Sequence, residues 1–390
     1  ENIIKWSEKM KIKFYVESFL VGGIEKVLLQ YLKNIDSINN EVTLIIGYKQ
    51  GELEKLKSDI PNNVKVEYVL ADDMYCDLKK KKAIGKLSKL EKLKMEGTSW
   101  LRKIKIRSRL KELISSDDII VDFDMTLSPF MKEFKNRKVT FCHFSLKNYH
   151  RGIERRLKKL GNRLNDYDKV VVISDEMKKE AIEMFPFLEN KLVRIYNSFN
   201  FDEIYRLADE EIEKELEGKY ILAIGRLEET QKDFISLIKA YSKICNELEE
   251  NLYIIGDGRH REQLENLVRE LKIEDRVKFL GFRTNPYPYL KRANLFVHSS
   301  KFEGFGLVIL EAMILGRMVI ATDCPTGPSE LLDNGKNGIL VEVGNVDEMA
   351  ESMKKILLNK EEQKDYLMNV EKKLKEFDAK LVMKEFENIL

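Results

Sequence analysis

Along this chain, short runs of apolar, largely β-branched residues alternate with longer stretches of helical periodicity. "KIKFYV" (11–16), "EVTLIIG" (41–47), "VKVEYVL" (64–70), "DIIVDF" (118–123), "KVTFCHF" (138–144), "KVVVIS" (169–174) and "KLVRIY" (191–196) read as strands. Parallel strands covered on both faces lose the in–out alternation of a half-solvated sheet, so near-continuous apolar runs are their mark. Helical patterns between most of them make a βαβ series, which predicts a doubly wound α/β domain. The rhythm then restarts with "YILAIG" (220–225), "LYIIG" (252–256), "VKFLG" (277–281), "LFVHS" (295–299), "MVIAT" (318–322) and "GILVEV" (338–343). Polar and turn-forming residues, "NSFNFDEI" (197–204), separate the two series, and from about residue 361 the pattern is helical. The expected organisation is two Rossmann-like domains, residues 1–198 and 199–377, followed by a terminal helix over 378–390.

One segment departs from this rhythm. Residues 79–111 hold 14 basic and two acidic residues. Leu87, Leu90 and Leu93 form part of an apolar stripe there, and Trp100, Leu101, Ile104 and Ile106 follow.

A length of 390 residues agrees with two domains of roughly 150–200 residues each. No apolar run approaches the ~18 residues of a membrane-spanning helix, and no secretory pattern opens the chain. Residues 1–9 fit no element, and Met10 reads as a more natural start. Cys76, Cys142, Cys245 and Cys324 are scattered, with no spacing that suits a metal. They read as reduced thiols of a cytoplasmic protein. The net charge of +2 conceals a balance of +11 over residues 1–200 and −9 over 201–390. The halves therefore face different partners, or each other.

Phosphate chemistry is legible without a dinucleotide fingerprint. In "FLVGGIEKVLL" (19–29), Gly22 and Gly23 follow the first strand and open a helix whose end can bind an anion. The plain alternative is a tight strand–helix turn. "IGRLEETQKD" (224–233) sits at the equivalent place in the second series. There Arg226 and Lys232 are a fork and a point charge suited to a diphosphate, or else two exposed loop cations. "IIGDGRHREQLE" (254–265) reads as structural, with Gly256 and Gly258 in the turn and Asp257 capping the helix.

In "KFEGFGLVILEAM" (301–313), a helix beginning near Leu307 puts the amides of Phe305, Gly306 and Leu307 at an anion-binding end. Glu303 lies before it and Glu311 just past its first turn, leaning back toward the N-terminus. Carboxylates hold sugar hydroxyls well, so two of them around an anion site suit a nucleotide sugar. A helix cap beside a solvated glutamate is the bland reading.

Taken in order, Gly22-Gly23 with Glu25, His143, Ser174, "YNSFNFDEI", "IGRLEETQKD", "IIGDGRHREQLE", "LGFRTNPYPYLKRANLFVHSSKFEGFGLVILEAM" and "TDCPTGPSELLDNGKNGILV" resemble the retaining glycosyltransferases of family 4. The resemblance covers most of the chain. It implies a GT-B fold, with two Rossmann-like domains facing across a cleft and the final helix returning to the first domain. It further implies a diphosphate on Arg226 and Lys232, donor sugar hydroxyls on Glu303, and ribose on Glu311. The backbone of Phe305, Gly306 and Leu307 would meet sugar and phosphate. Phe282 and Arg283 fall where the base is recognised, His143 reaches over the donor sugar, and Gly22 and Gly23 close on the phosphate. The implied reaction is transfer with retention at the anomeric carbon, without a metal and with no cofactor beyond the donor itself.

"DFD" (122–124) reads as a chance match to a metal motif, with Asp124 lining the acceptor site. A lone histidine at a strand end is usually structural, and only the family pattern lifts His143 above that; His150, His260 and His298 keep the structural reading. "TDCPTGPSE" (322–330) resembles the loop of enzymes that use UDP-hexoses or UDP-N-acetylhexosamines.

The basic stretch, with Lys79, Lys80, Lys81, Lys82, Arg102, Lys103 and Trp100, suits the inner face of an anionic membrane beside a saccharide or lipid-linked acceptor. A solvated helix face is the alternative. No nucleic-acid recognition module accompanies the charge. An epimerase acting on a UDP-sugar, or an inactive scaffold, stays open as another class. NAD chemistry fails for want of GxGxxG.

Overall fold

A computed structural model describes residues 9–71, 73–147, 153–216 and 218–390. The readings of residues 1–8 and of His150 lie outside the described residues. The chain divides into two compact units. The first runs to Ile173 and adds Met177–Ser198 and Ala379–Leu390; the second holds Ser174–Glu176 and Phe199–Asp378.

The first unit is built on seven parallel strands: β1 (Met10–Val16), β2 (Asn40–Tyr48), β3 (Lys65–Leu70), β4 (Asp118–Asp122), β5 (Lys138–Cys142), β6 (Lys169–Val172) and β7 (Leu192–Arg194). Their order is β3-β2-β1-β4-β5-β6-β7. β1 pairs with β2 from Met10↔Asn40 to Val16↔Ile46 and with β4 from Lys11↔Asp118 to Tyr15↔Asp122. The second unit has β8 (Tyr220–Ile224), β9 (Asn251–Ile255), β10 (Val277–Gly281), β11 (Leu295–His298), β12 (Val319–Thr322) and β13 (Ile339–Val341), in the order β10-β9-β8-β11-β12-β13. The strand order of each sheet reverses once, between β1 and β4 and between β8 and β11. The carboxyl ends of the strands flanking such a reversal are where open α/β sheets hold ligands.

All thirteen apolar runs form strands, and several are shorter than expected. β5 stops at Cys142 and β7 at Arg194. The apolar pattern continues beyond them because His143, Ile195 and Tyr196 are buried outside the ladder. The helix Ala379–Glu387 belongs to the first unit. Phe386 is fully buried there against Tyr31, with ring centroids 5.0 Å apart, and near Phe14 and Phe141. The Asp36 amide donates to Glu387 and Arg137 donates to the Ile389 carbonyl.

Helices Met74–Ala83, Lys89–Gly97 and Ser99–Leu113 carry the basic segment. Only Ile106 and Leu110 of the last helix are buried, while Leu90 is 80% and Trp100 60% exposed. Lys79 is drawn inward to Glu17 and the Tyr48 ring, and Lys81 pairs with Glu91.

Candidate functional site

In the second unit, the loops after β8 and β11 stand side by side at the reversal of the sheet. They are tied together by backbone and side-chain bonds. Lys301 N–H donates to the Gln231 carbonyl, Gln231 to the Phe302 carbonyl, and the Ser299 hydroxyl to the Lys232 carbonyl. Glycine makes the neighbouring loop possible. A Cβ on Gly256, whose φ is +145°, would lie 1.8 Å from the Gly225 carbonyl oxygen. The turn after β9 thus lies backbone to backbone against the loop that carries Arg226. Leu227 N–H donates to the Asp257 carbonyl across that contact. The expected helix cap from Asp257 is not what forms, since its carboxylate accepts from the Gly258 amide within the turn instead.

Glu303 is the centre of this site. The Lys232 ammonium, the His298 Nε2–H (2.9 Å) and the Ser300 hydroxyl (2.6 Å) all donate to its Oε1. Its backbone is pinned by a bond from its amide to the Pro325 carbonyl and one from the Thr326 hydroxyl to its own carbonyl. Burial alone would raise this carboxyl. The charge of Lys232 and the bond from His298 outweigh that and hold it well below the ordinary glutamate value. Glu303 is therefore ionised, with Oε2 accepting no hydrogen bond among the described residues. Burial lowers the His298 pKa, so this histidine is neutral and donates to the carboxylate. Arg226 is exposed at the end of β8.

The helix ends near this point differ in a useful way. Phe234 and Ile235, which begin the helix after the β8 loop, donate their amides to Glu229, so that N-terminus is filled by the chain's own carboxylate. The helix Leu307–Ile314 begins at Gly306, φ +87°, with no side-chain cap. Ile309 and Leu310 donate their amides to the Gly306 carbonyl, so the Leu307 and Val308 amides are the ones left at this end for an anion. Arg226 and Lys232 carry positive charge on one loop, and this helix end adds partial positive charge on the other. Glu311, one turn in and 7% exposed, accepts from the Tyr287 hydroxyl at 3.2 Å. After β10, Phe282 is exposed, while the Arg283 guanidinium pairs with Glu213 and lies over the Tyr289 ring.

The first unit gathers a separate group at the carboxyl ends of β1, β4 and β5. The helix Gly23–Asn34 starts after Gly22 with no cap from its first residue. The Glu25 carboxylate folds over that end so closely that a Cβ on Gly22 would sit 2.4 Å from its Oε2. Burial pushes the Glu25 carboxyl up to about 7, opposed by bonds from its own and the Leu20 amides. The Gly22–Gly23 turn thus has an internal carboxyl group where the sequence suggested an external anion.

His143, just beyond β5, stacks on Phe141 at 5.7 Å and packs on Phe123. Burial lowers its pKa to about 3, and its Nε2 has no partner among the described residues. It is a neutral imidazole. Asp124 is held by the Glu17 amide at 2.7 Å and by Thr126. Asp122 is buried beneath it, taking bonds from Tyr167 and the Leu127 amide.

His298, which the sequence reads as structural, is buried and bonds to Glu303. A lone histidine at the end of "LFVHS" carries no periodic signal, and only its position five residues before Glu303 could have flagged it. Tyr287 was missed for the same reason, since it reaches Glu311 from a different helix.

Comparison with known proteins adds to this geometry. Residues 206–373 match the family described as glycosyl transferases group 1. An N-acetylgalactosamine-N,N'-diacetylbacillosaminyl-diphospho-undecaprenol 4-alpha-N-acetylgalactosaminyltransferase of Campylobacter jejuni is 33% identical over 200 residues, 51% of this chain and 53% of that protein. The chain thus spans about half the length of that curated relative. An uncharacterized glycosyltransferase of Haemophilus influenzae is 30% identical over 263 residues, 66% of this chain and 71% of that protein. Among solved structures, Anabaena Alr3699/HepE in complex with UDP and glucose superposes with a TM-score of 0.76 at 20% identity, covering 97% of this chain and 98% of that one.

Proposed function

The chain belongs to the glycosyltransferase family, in its GT-B fold, and we propose that it moves a hexose or N-acetylhexosamine from a UDP-sugar to a saccharide, lipid-linked or polymer acceptor of a bacterial envelope glycan. The observation that carries this reading is Glu303: a buried, ionised carboxylate with one oxygen unpartnered among the described residues, beside Lys232 and an uncapped helix end. A sugar diol bonds to the open oxygen. The diphosphate meets Arg226, Lys232 and the Leu307 amide, and the ribose hydroxyls meet Glu311 from the first turn of the same helix. Phe282 and the backbone beside Arg283 receive the base. From the first unit, His143 reaches over the donor sugar and Asp124 lines the acceptor site.

The chemical requirement is stabilisation of a departing diphosphate. The cations Arg226 and Lys232 and a helix end supply it as positive charge placed where the phosphate leaves. His143, being neutral, offers a hydrogen bond rather than a positive charge. Retention at the anomeric carbon and independence of a metal belong to this proposal, on the strength of the family resemblance. The name of the Campylobacter relative, an alpha-N-acetylgalactosaminyltransferase acting on a diphospho-undecaprenol, favours a lipid-linked acceptor and an N-acetylhexosamine. The exposed basic and apolar helices of the first unit suit a membrane surface at which such an acceptor is met.

The test is a thermal-shift panel of UDP, GDP, ADP, CMP and NAD on wild type and Glu311→Ala. A ligand at 100 times its Kd stabilises by about 2.7 kcal/mol, enough to read. The expected result is a shift with UDP alone, weakened in Glu311→Ala. A shift with another nucleotide would change the donor, and no shift with any of them would overturn the reading.

A further inference from the structure

Three donors converge on one oxygen of Glu303, and only one of them carries charge. Lys232 is that one, and the proposed function needs it for the diphosphate. Its ammonium sits in a side chain only 14% exposed, with its stem packed beside Gly225. When the ammonium turns to a phosphate, Glu303 loses the cation that offsets its burial. A buried carboxylate without hydrogen-bond donors is costly and tends to take up a proton. A protonated or re-aimed Glu303 would no longer present an ionised oxygen to sugar hydroxyls.

What remains on Oε1 after that exchange is His298 and Ser300. His298 is 3% exposed and ends strand β11, so its ring is carried by the sheet rather than by a loop. It lies alongside Phe296 at 23° between ring planes. Ser300 is fully buried, and its carbonyl is held by the Thr322 hydroxyl at 2.5 Å. Both donors are thus fixed by elements other than the ligand.

We propose that His298 is a positioning residue for donor sugar recognition: its Nε2–H holds Oε1 of Glu303 and keeps Oε2 aimed at the sugar hydroxyls when Lys232 engages the diphosphate. This rests on the donor reading above. It assigns to His298 a part in sugar binding and none in nucleotide binding.

The experiment compares two affinities on the same purified full chain. Calorimetry measures the Kd for UDP and for whichever of UDP-glucose, UDP-galactose, UDP-N-acetylglucosamine and UDP-N-acetylgalactosamine the wild type binds best. The variants are His298→Leu, His298→Gln and Ser300→Ala, each checked for a cooperative thermal transition. A hydrogen bond to a buried charge sets the scale, so His298→Leu should weaken the UDP-sugar roughly 10- to 100-fold. UDP itself should stay within about twofold. His298→Gln, which keeps an N–H donor of similar reach, should recover most of the loss. Ser300→Ala should show a smaller loss of the same kind, and it reports on the same network if His298→Leu does not fold.

An unchanged UDP-sugar affinity in His298→Leu would overturn the inference while leaving the donor reading intact. So would an equal loss for UDP and UDP-sugar, which marks a general structural role. Failure of the wild type to bind UDP and all four sugars would overturn the donor reading, and this inference with it.

Discussion

Glu25 places its carboxyl group over the start of the helix Gly23–Asn34, close to the backbone of Gly22. Burial raises that carboxyl from 4.5 to about 7; its own amide and that of Leu20 pull it down, and Asp124 pushes it up. Between these two values the folded chain holds a proton that the unfolded chain has already lost. Its contribution to stability is therefore lost as pH rises through the window. Glutamine keeps the shape and cannot ionise. The Tm of Glu25→Gln should match wild type near pH 5 and exceed it by a few degrees near pH 8. Melting curves across that range decide the matter, and a difference independent of pH would refute the assignment. His143 shows the opposite behaviour, since burial lowers its pKa to about 3 and leaves it neutral throughout the same range.

At the scale of elements, the loop after β9 acts as a template for the loop after β8. Gly256→Ala would drive a Cβ into the Gly225 carbonyl, and backbone cannot step aside as a side chain can. Gly344 offers a control in the same unit, because its φ is also positive, +77°, yet nothing lies within 4 Å of an added Cβ. Gly344→Ala should cost roughly 1 kcal/mol of unfolding free energy from backbone strain alone. Gly256→Ala should cost about 2–4 kcal/mol and also weaken the UDP shift, by displacing Arg226. Equal denaturation midpoints for the two variants would contradict the template.

Strands were legible at this scale because a parallel strand covered on both faces is an apolar run. Their ends were not, because residues such as Tyr196 and His143 are buried by loops rather than by the ladder. The positions of Glu303 and Glu311 around a helix start at Leu307 followed from spacing along one segment. The bonds of His298 and Tyr287 did not, since burial of a charge decides the first and packing of two separate helices the second.

Over the whole molecule, the division of charge is the largest asymmetry: +11 over residues 1–200 and −9 over 201–390. Leu90, Leu93 and Trp100 stand exposed among the lysines of the first unit's helices, at 80%, 65% and 60%. An anionic surface gains about 1 kcal/mol for each lysine or arginine near it, and apolar side chains add insertion. Sedimentation with phosphatidylglycerol vesicles at low salt should carry the protein down, while phosphatidylcholine vesicles should not. Replacing Lys80, Lys82 and Lys103 by glutamate should abolish the difference. Equal recovery with both lipids would remove the membrane from the proposal.

The return of the helix Ala379–Glu387 to the first unit also sets a timetable for biogenesis. The aromatic cluster of Tyr31, Phe14 and Phe141 waits for Phe386. A ribosome adds about 5–20 residues per second, so translating Phe199–Asp378 leaves that cluster open for roughly 10–40 s. The domain made first is the one that closes last. During that interval the cluster lacks its Phe386 ring.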